Sequence, residues 1–262
     1  MNIDTTGNKV IELAKKTGKF ISDERIKFNT DDVESKGFHD FVSYVDKQAE
    51  QMLVDGLKII LPQAGFITEE KTADNNNEEY IWIIDPLDGT TNFIHNLMPH
   101  AISIALQYNS KTILGIVYEL GADEMFYSWE GTQAFCNNKI ISVSKAKNLS
   151  DSLIATGFHI NDFSRLQNHL KVIETVVKNS HGIRRHGSAA TDLAYVAAGK
   201  FDGFFEYGLS VWDIAAGSFI VEQAGGKVSD YSGENNYFYG REIIAGTQGV
   251  HNDLLDIVKK IM

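Results

Sequence analysis

The sequence predicts a mixed α/β protein, α+β in its first half. Three observations predict it: apolar residues at helical spacing over the first 60 positions, short alternating segments between 101 and 128, and interchanging helical and strand-like segments after about 145. Val10, Leu13, Ala14, Thr17 and Ile21 recur at helical spacing, which predicts an amphipathic helix over 7–26. Val42, Val45, Ala49, Met52, Leu53, Gly56, Leu57 and Ile60 form a second, stronger helical face, ended by Pro62 and Gly65. The polar segment 28–40 between them reads as a mobile loop. Asp46 falls in the first half of the second helix and, on local composition, reads as a solvent-facing acid.

Phe66-Ile67-Thr68-Glu69-Glu70 reads as a short strand ending in two acids, and 71–79 as a polar, acidic loop. Ile81-Trp82-Ile83-Ile84 is a buried strand in pattern, and Pro86, which cannot continue a central strand, is expected to stop it. Segments 101–107, 112–118 and 124–128 alternate apolar and polar residues between turns, the signature of an antiparallel meander. A strand is expected at 152–155, then helices over 163–178 and over 187–198, the latter capped by Gly199. A strand over 202–206 precedes a helix over 212–224 that ends at Gly225-Gly226. Strands at 227–229 and 242–245 and a helix over 250–261 close the chain. Repeats, low-complexity tracts and linkers are absent from the sequence. Residues 1–262 therefore read as one domain, with an N-terminal lobe over about 1–145 and a C-terminal lobe over about 146–262.

Composition excludes several classes. Hydrophobic content of 43% and charged content of 23% are ordinary for a globular protein. A net charge of −11 argues against a nucleic-acid partner. Cys136 is the only cysteine, so neither a disulfide framework nor a thiolate zinc site can be built within one chain, which favours a reducing, cytoplasmic setting. Met1-Asn2-Ile3-Asp4 lacks a basic then apolar leader. With apolar runs all well short of the roughly 18 residues a span needs, membrane insertion is not expected.

The chemistry concentrates at residues 81–93. A strand end presents Asp85 and Asp88, and Gly89-Thr90-Thr91-Asn92 then suits a turn or a helix start. Carboxylates collect hard cations and a helix N-terminus collects phosphate. Taken alone, an Asp-Pro-x-Asp-Gly run is more often only a turn. Two further acids stand out by position. Glu69 ends a short apolar strand, and Asp213 follows Trp212 at a helix start, where a cap would also favour Asp. If these four carboxylates converge, they raise one another's pKa values, a penalty that divalent cations remove. Oxygen donors without nearby His or Cys favour magnesium or manganese over zinc. Two such ions about 3.5–4 Å apart activate a water and stabilise a leaving oxygen.

Residues 82–93 match the pattern W-I-x-D-P-[IL]-D-G-T-x-N-F, and the chain resembles the inositol monophosphatase family. Thr68-Glu69-Glu70 resembles its G-E-E motif, with Thr68 where the family usually has Gly, and Trp212-Asp213 resembles its late W-D motif. Gly187-Ser188-Ala189-Ala190 and Glu206 resemble its substrate-side segment. The resemblance runs from about residue 40 to 226 and implies a layered α-β-α-β-α sandwich, of the inositol monophosphatase and fructose-1,6-bisphosphatase type. It also implies a phosphatase that uses two or three Mg2+ ions, with Mn2+ as a possible substitute, and no covalent phosphoenzyme. Residue by residue, Glu69, Asp85 and the Leu87 carbonyl match one metal site, and Asp85, Asp88 and Asp213 a second. Thr90 matches the group that orients the attacking water with Glu69, and Asp46 the acid that holds that threonine. Gly89 and Thr90 match the phosphate contacts, and Gly187, Ala189, Glu206 and Asp213 lie at positions near substrate hydroxyls. The expected partner is a small phosphorylated metabolite such as inositol monophosphate. Fructose-1,6-bisphosphate, NADP and 3′-phosphoadenosine phosphate are the alternatives within the family, and a regulator without catalysis is the alternative outside it. Lithium inhibition and a homodimer are implied in the same way. From the sequence, one of Arg184 and Arg185 is also expected to face the pocket mouth, where it would hold a second phosphate.

Overall fold

The computed structural model describes residues 1–28, 33–37, 40–73, 78–159 and 162–262, with backbone alone for 33–37 and 40–42. Helix α1 spans Ile3–Lys27 and helix α2 Tyr44–Ile60, close to the spans expected from their apolar faces. Between them the expected loop over 28–40 lies partly outside the described residues. What is described there is a short antiparallel hairpin, β1 (Val33–Gly37) and β2 (Asp40–Ser43).

A seven-stranded sheet follows. Its order is β3 (Gly65–Thr68), β4 (Tyr80–Asp88), β5 (Ala101–Tyr108), β6 (Lys111–Glu119), β7 (Glu124–Trp129), β8 (Phe135–Cys136) and β9 (Lys139–Ile140). The meander β5–β6–β7 is antiparallel as expected, while β3 and β4 run parallel. Strand β4 does not stop at Pro86. It continues to Asp88 through a register shift against β5 between Asp85 and Asp88, and a bulge is where a strand tolerates proline. Helix α3 (Thr90–Ile94) starts immediately afterwards.

The second sheet has five strands. Its order is β11 (Gly182–Arg184), β10 (Leu153–Thr156), β12 (Gly203–Tyr207), β14 (Glu242–Gly246) and β13 (Lys227–Ser229). The edge strand β11 was not expected; it is only three residues long and carries no alternation to read. Helices α4 (Leu166–Asn179), α5 (Ala189–Ala197), α6 (Val211–Gln223), the short α7 (Tyr237–Gly240) and α8 (Gln248–Ile261), with a single 3-10 turn at Leu149–Asp151, complete the described elements.

Alternation on the strands sorts the side chains into three cores. Trp82 and Ile84 of β4, with Ile102, Ile104 and Leu106 of β5, pack against α1 and α2. Ile83, Ala101, Ala105 and Val117, on the opposite face, meet α5 and α6, which also receive Phe204, Ile243 and Ala245 from the second sheet. The far face of that sheet, with Phe205, Tyr207 and Ile244, packs on α4 and α8. The layers therefore run helix, sheet, helix, sheet, helix, the α-β-α-β-α order that the resemblance implies. Burial of each large side chain contributes about 1.5–3 kcal/mol.

Helix α6 is the central layer, and its sequence explains why it fits there. Every residue from Ile214 to Val221 is buried, so the helix is apolar nearly all round. Its small residues allow close approach. A Cβ at Gly115 of β6 would stand 2.7 Å from the Ala216 carbonyl oxygen, and one at Gly217 would stand 2.6 Å from Leu193 Cβ. This packing fixes the N-terminus of α6, and with it Asp213, against the seven-stranded sheet. Ser103 on β5 adds a hydrogen bond from its hydroxyl to the Trp212 carbonyl at 3.0 Å.

Candidate active site

The C-terminal ends of the parallel strands β3 and β4 deliver the first acids. Glu69 follows β3, and its N–H donates to the Ile84 carbonyl of β4 at 3.3 Å, so Glu69 stays in register beside Asp85. Gly89 takes φ +93, a left-handed conformation that turns the chain from β4 into α3, and a Cβ there would crowd the Pro99 carbonyl oxygen at 3.1 Å. The second half of the chain arrives through helix N-termini. Ser188 caps α5, and its hydroxyl donates to Asp88 at 2.7 Å, as does the Ala190 N–H. Asp213 sits in the first turn of α6, where Ser210 N–H donates to its carboxylate at 2.6 Å. Positive helix ends therefore face Asp88 and Asp213, which favours their charged forms. Asn92 ties the two halves together, its amide donating to the carbonyls of Pro99 and His186 at 2.7 Å each.

Around these groups lies a cavity of about 770 Å3. Glu69, Asp88, Glu206 and Asp213 line it, as do Gly89, Thr90, Gly187 and Ala189. Asp85 and Leu87 lie beneath its wall, at 2% and 0% exposure. Asp46 is also beneath, at 1% exposure, so its local reading as a solvent-facing acid is wrong. The reason is a double engagement. One carboxylate oxygen takes the Ser43 N–H and hydroxyl in a capping box at the start of α2, and the other accepts from the Thr90 hydroxyl at 3.0 Å. Thr90 Oγ1 also lies 3.0 Å from the Leu87 carbonyl oxygen. Thr68, the departure from the family pattern, is buried inside β3, and the turn begins only after it.

Burial raises the carboxyl pKa values of Asp46, Asp85, Asp88, Glu206 and Asp213. Asp85 is pushed well above the usual carboxylate range, first by burial and then by the charges of Glu69, Asp88 and Asp213. Asp213 is pushed up to about 8 by burial and then by Asp88, with the Ser210 N–H opposing. Asp88 reaches about 6, burial being partly offset by Ser188 and the Ala190 and Ala189 N–H groups. Glu206 rises to about 8 through burial, with the Arg185 charge opposing. The common cause is burial, to which neighbouring carboxylates add at Asp85, Asp213 and Glu206.

The donor chemistry fits a hard divalent cation, because the acids are all oxygen donors whose mutual repulsion a cation would relieve. Among the described residues, no three His, Cys, Asp or Glu side chains are already gathered around one ion-sized point. Asp88 and Asp213 instead point oxygens at the N–H groups named above. Glu69, Asp85 and Asp213 with the Leu87 carbonyl are the groups that would hold an ion, together with Asp88.

Sequence reasoning placed one of two arginines at the pocket mouth and missed other lining groups. Of the two adjacent arginines only Arg185 lines the cavity; its guanidinium folds back over Gly187, which has φ +84. Arg184 is turned away and donates to the Ile183 carbonyl. Arg241 and His159 reach the same cavity from segments that carry no motif. Ser188 was legible as a helix cap, but its bond to Asp88, 100 positions away in sequence, was not. Asp192, buried behind the wall, has its Oδ1 3.6 Å from His186 Nδ1.

Comparison with known proteins agrees with this fold. The model of the inositol monophosphatase family matches residues 4–262. An inositol-1-monophosphatase of Mesorhizobium japonicum is 38% identical over 254 residues, 97% of this chain and 96% of that protein. The Nus factor SuhB of Escherichia coli is 38% identical over 249 residues, 95% of this chain and 93% of that protein. The structure of an inositol monophosphatase from Anabaena (Nostoc) superposes with a TM-score of 0.87 at 31% identity, covering 100% of this chain and 98% of that one. With the five layers, the motifs and the whole length in agreement, the chain belongs to the inositol monophosphatase family.

Proposed function

We propose that this protein is a magnesium-dependent phosphatase that hydrolyses a small phosphate monoester such as inositol monophosphate by direct attack of water. The observation that carries the proposal is the gathering of Glu69, Asp88, Thr90, Glu206 and Asp213 around one cavity, with Thr90 held by the buried Asp46. Bound divalent cations, two or three Mg2+ or in their place Mn2+, would supply Lewis-acid polarisation of the phosphate and a lowered pKa for the attacking water. They would be held by Glu69, Asp85, Asp88, Asp213 and the Leu87 carbonyl.

The chain's own groups do the positioning. The one hydroxyl proton of Thr90 is directed to Asp46 or to the Leu87 carbonyl, so the lone pairs of Oγ1 remain to accept a hydrogen bond from water. Thr90 and Glu69 line the same cavity and together would orient that water towards phosphorus. The N–H groups of Gly89 and Thr90 would meet the phosphate oxygens. Gly187 and Ala189 would shape the wall beside the substrate hydroxyls, where Glu206 and Asp213 accept hydrogen bonds. Catalysis on this reading is positioning and electrostatics, as phosphoryl transfer requires.

A homodimer and a cytoplasmic setting belong to the same proposal, as does a single domain over 1–262. The single domain is supported by α5 and α6, whose buried faces serve both sheets. No helix among the described residues is long and apolar enough to cross a membrane. A second reading, a role as a Nus factor, is favoured by the name of relatives at 38% identity. A phosphate-release screen with magnesium across inositol phosphates, fructose-1,6-bisphosphate, NADP and 3′-phosphoadenosine phosphate tests the first reading. Turnover of a monophosphate supports it; absence of release from every substrate would leave the Nus-factor reading.

The position of Arg185 sharpens one expectation about that screen. Arg185→Ala is expected to raise KM for bisphosphates at least about tenfold more than for monophosphates, as loss of a bidentate ionic contact would. Arg184→Ala should leave both unchanged. Equal effects of Arg185→Ala on the two substrate classes would remove the second-phosphate role.

A further inference from the structure

Asp46 and Glu50 lie four residues apart on α2 and therefore on one face of the helix. Asp46 holds Thr90, which follows β4. Glu50, fully buried, reaches the segment that follows β3 instead. Its carboxylate accepts from the Glu70 N–H at 2.8 Å, the Thr72 N–H at 3.0 Å and the Thr72 hydroxyl at 2.8 Å. The turn so gripped contains Lys71 at φ +58, a left-handed conformation that costs a lysine roughly 1 kcal/mol. Three hydrogen bonds to the Glu50 carboxyl group offset that cost. Glu69 is the residue immediately before this turn, and its own N–H is already fixed to β4. Its backbone is therefore held on both sides, from β4 through its own amide and from α2 through Glu50.

We propose that Glu50 is a positioning residue for Glu69, so that one helical turn of α2 sets the spacing between the Glu69 and Thr90 segments. Asp46 sets one end of that spacing and Glu50 the other. Glu50 touches neither the cavity nor the substrate; it acts by holding the Glu69 carboxylate where a divalent cation and water would meet it. The inference rests on the metal-dependent reading above.

Glu50→Gln keeps the side-chain volume but turns an amide NH2 towards one of the N–H donors. It is expected to weaken Mn2+ binding, measured by calorimetry on the purified protein, about 10–100-fold, the usual effect of a residue that supports a metal ligand. Hydrogen exchange at the amides of 70–72 should accelerate in the same variant. Thr72→Val removes only the hydroxyl bond and should weaken Mn2+ about fivefold, the effect of one ordinary hydrogen bond. If Glu50→Gln does not fold, Thr72→Val decides the matter. Wild-type Mn2+ affinity in the folded variants, whatever their thermal stability, would overturn the positioning role and leave the metal-dependent reading intact. A wild-type protein that bound no Mn2+ would overturn both.

Discussion

Thr90→Ala lowers kcat by on the order of 10²–10⁴-fold while magnesium and substrate binding stay close to wild type. The expectation follows from where the hydroxyl sits. Its proton is committed to Asp46 Oδ1 or the Leu87 carbonyl, each at 3.0 Å, so what alanine removes is an oriented acceptor at the cavity wall. Asp46→Asn acts in the same direction through Thr90 and more mildly, about tenfold. Melting separates the two variants: asparagine keeps an oxygen for the Ser43 N–H, so the capping box survives, whereas Thr90→Ala leaves a buried Asp46 oxygen without its hydroxyl partner and should lower Tm more than Asp46→Asn does. Kinetics and melting on the two variants check both statements. Rescue of Thr90→Ala by high magnesium would show that Thr90 supports metal rather than water.

Asp213→Asn should behave in the opposite way. Asparagine keeps an oxygen that can accept the Ser210 N–H, so the start of α6 survives. What goes is one negative charge from the acid wall. The magnesium concentration for half-maximal activity is expected to rise on the order of 10–100-fold or more, because a direct ligand matters at least as much as its support. Part of kcat returns when magnesium is raised. A magnesium titration of kcat reads this directly, and an unchanged half-maximal concentration would remove Asp213 from the metal site.

Local pattern carried most of the fold into view. The alternation of β5 to β7, the helical faces of α1 and α2, and the small, apolar run of α6 each follow from burial that a single segment can express. The exceptions are places where distant partners decide the structure. Pro86 should end a strand, yet the bulge between Asp85 and Asp88 accommodates it and aims both carboxylates. Asp46 looks like surface acid until Ser43 and Thr90 engage its two oxygens. Hairpin β1–β2 sits in a polar segment with no apolar period to betray it.

The candidate site was legible to a similar extent. Glu69, Asp88, Thr90, Glu206 and Asp213 could be named because their motifs are local, and the structure gathers them around one cavity. Which of two neighbouring arginines turns inward was not legible, because adjacent residues of an extended segment point opposite ways and the three-residue β11 carries no pattern that fixes its register. The grip of Glu50 on the turn after β3 joins residues 20 positions apart, which no local pattern records.

The central claim is that the acid wall acts through divalent cations. The most direct test is phosphate release, from whichever substrate the screen turns over fastest, followed against free magnesium after treatment with excess chelator. The account predicts no release in chelator, return of activity as magnesium is restored, and no productive replacement by zinc, since Glu69, Asp85, Asp88, Asp213 and the Leu87 carbonyl are all hard oxygen donors. Full activity in excess chelator would contradict it.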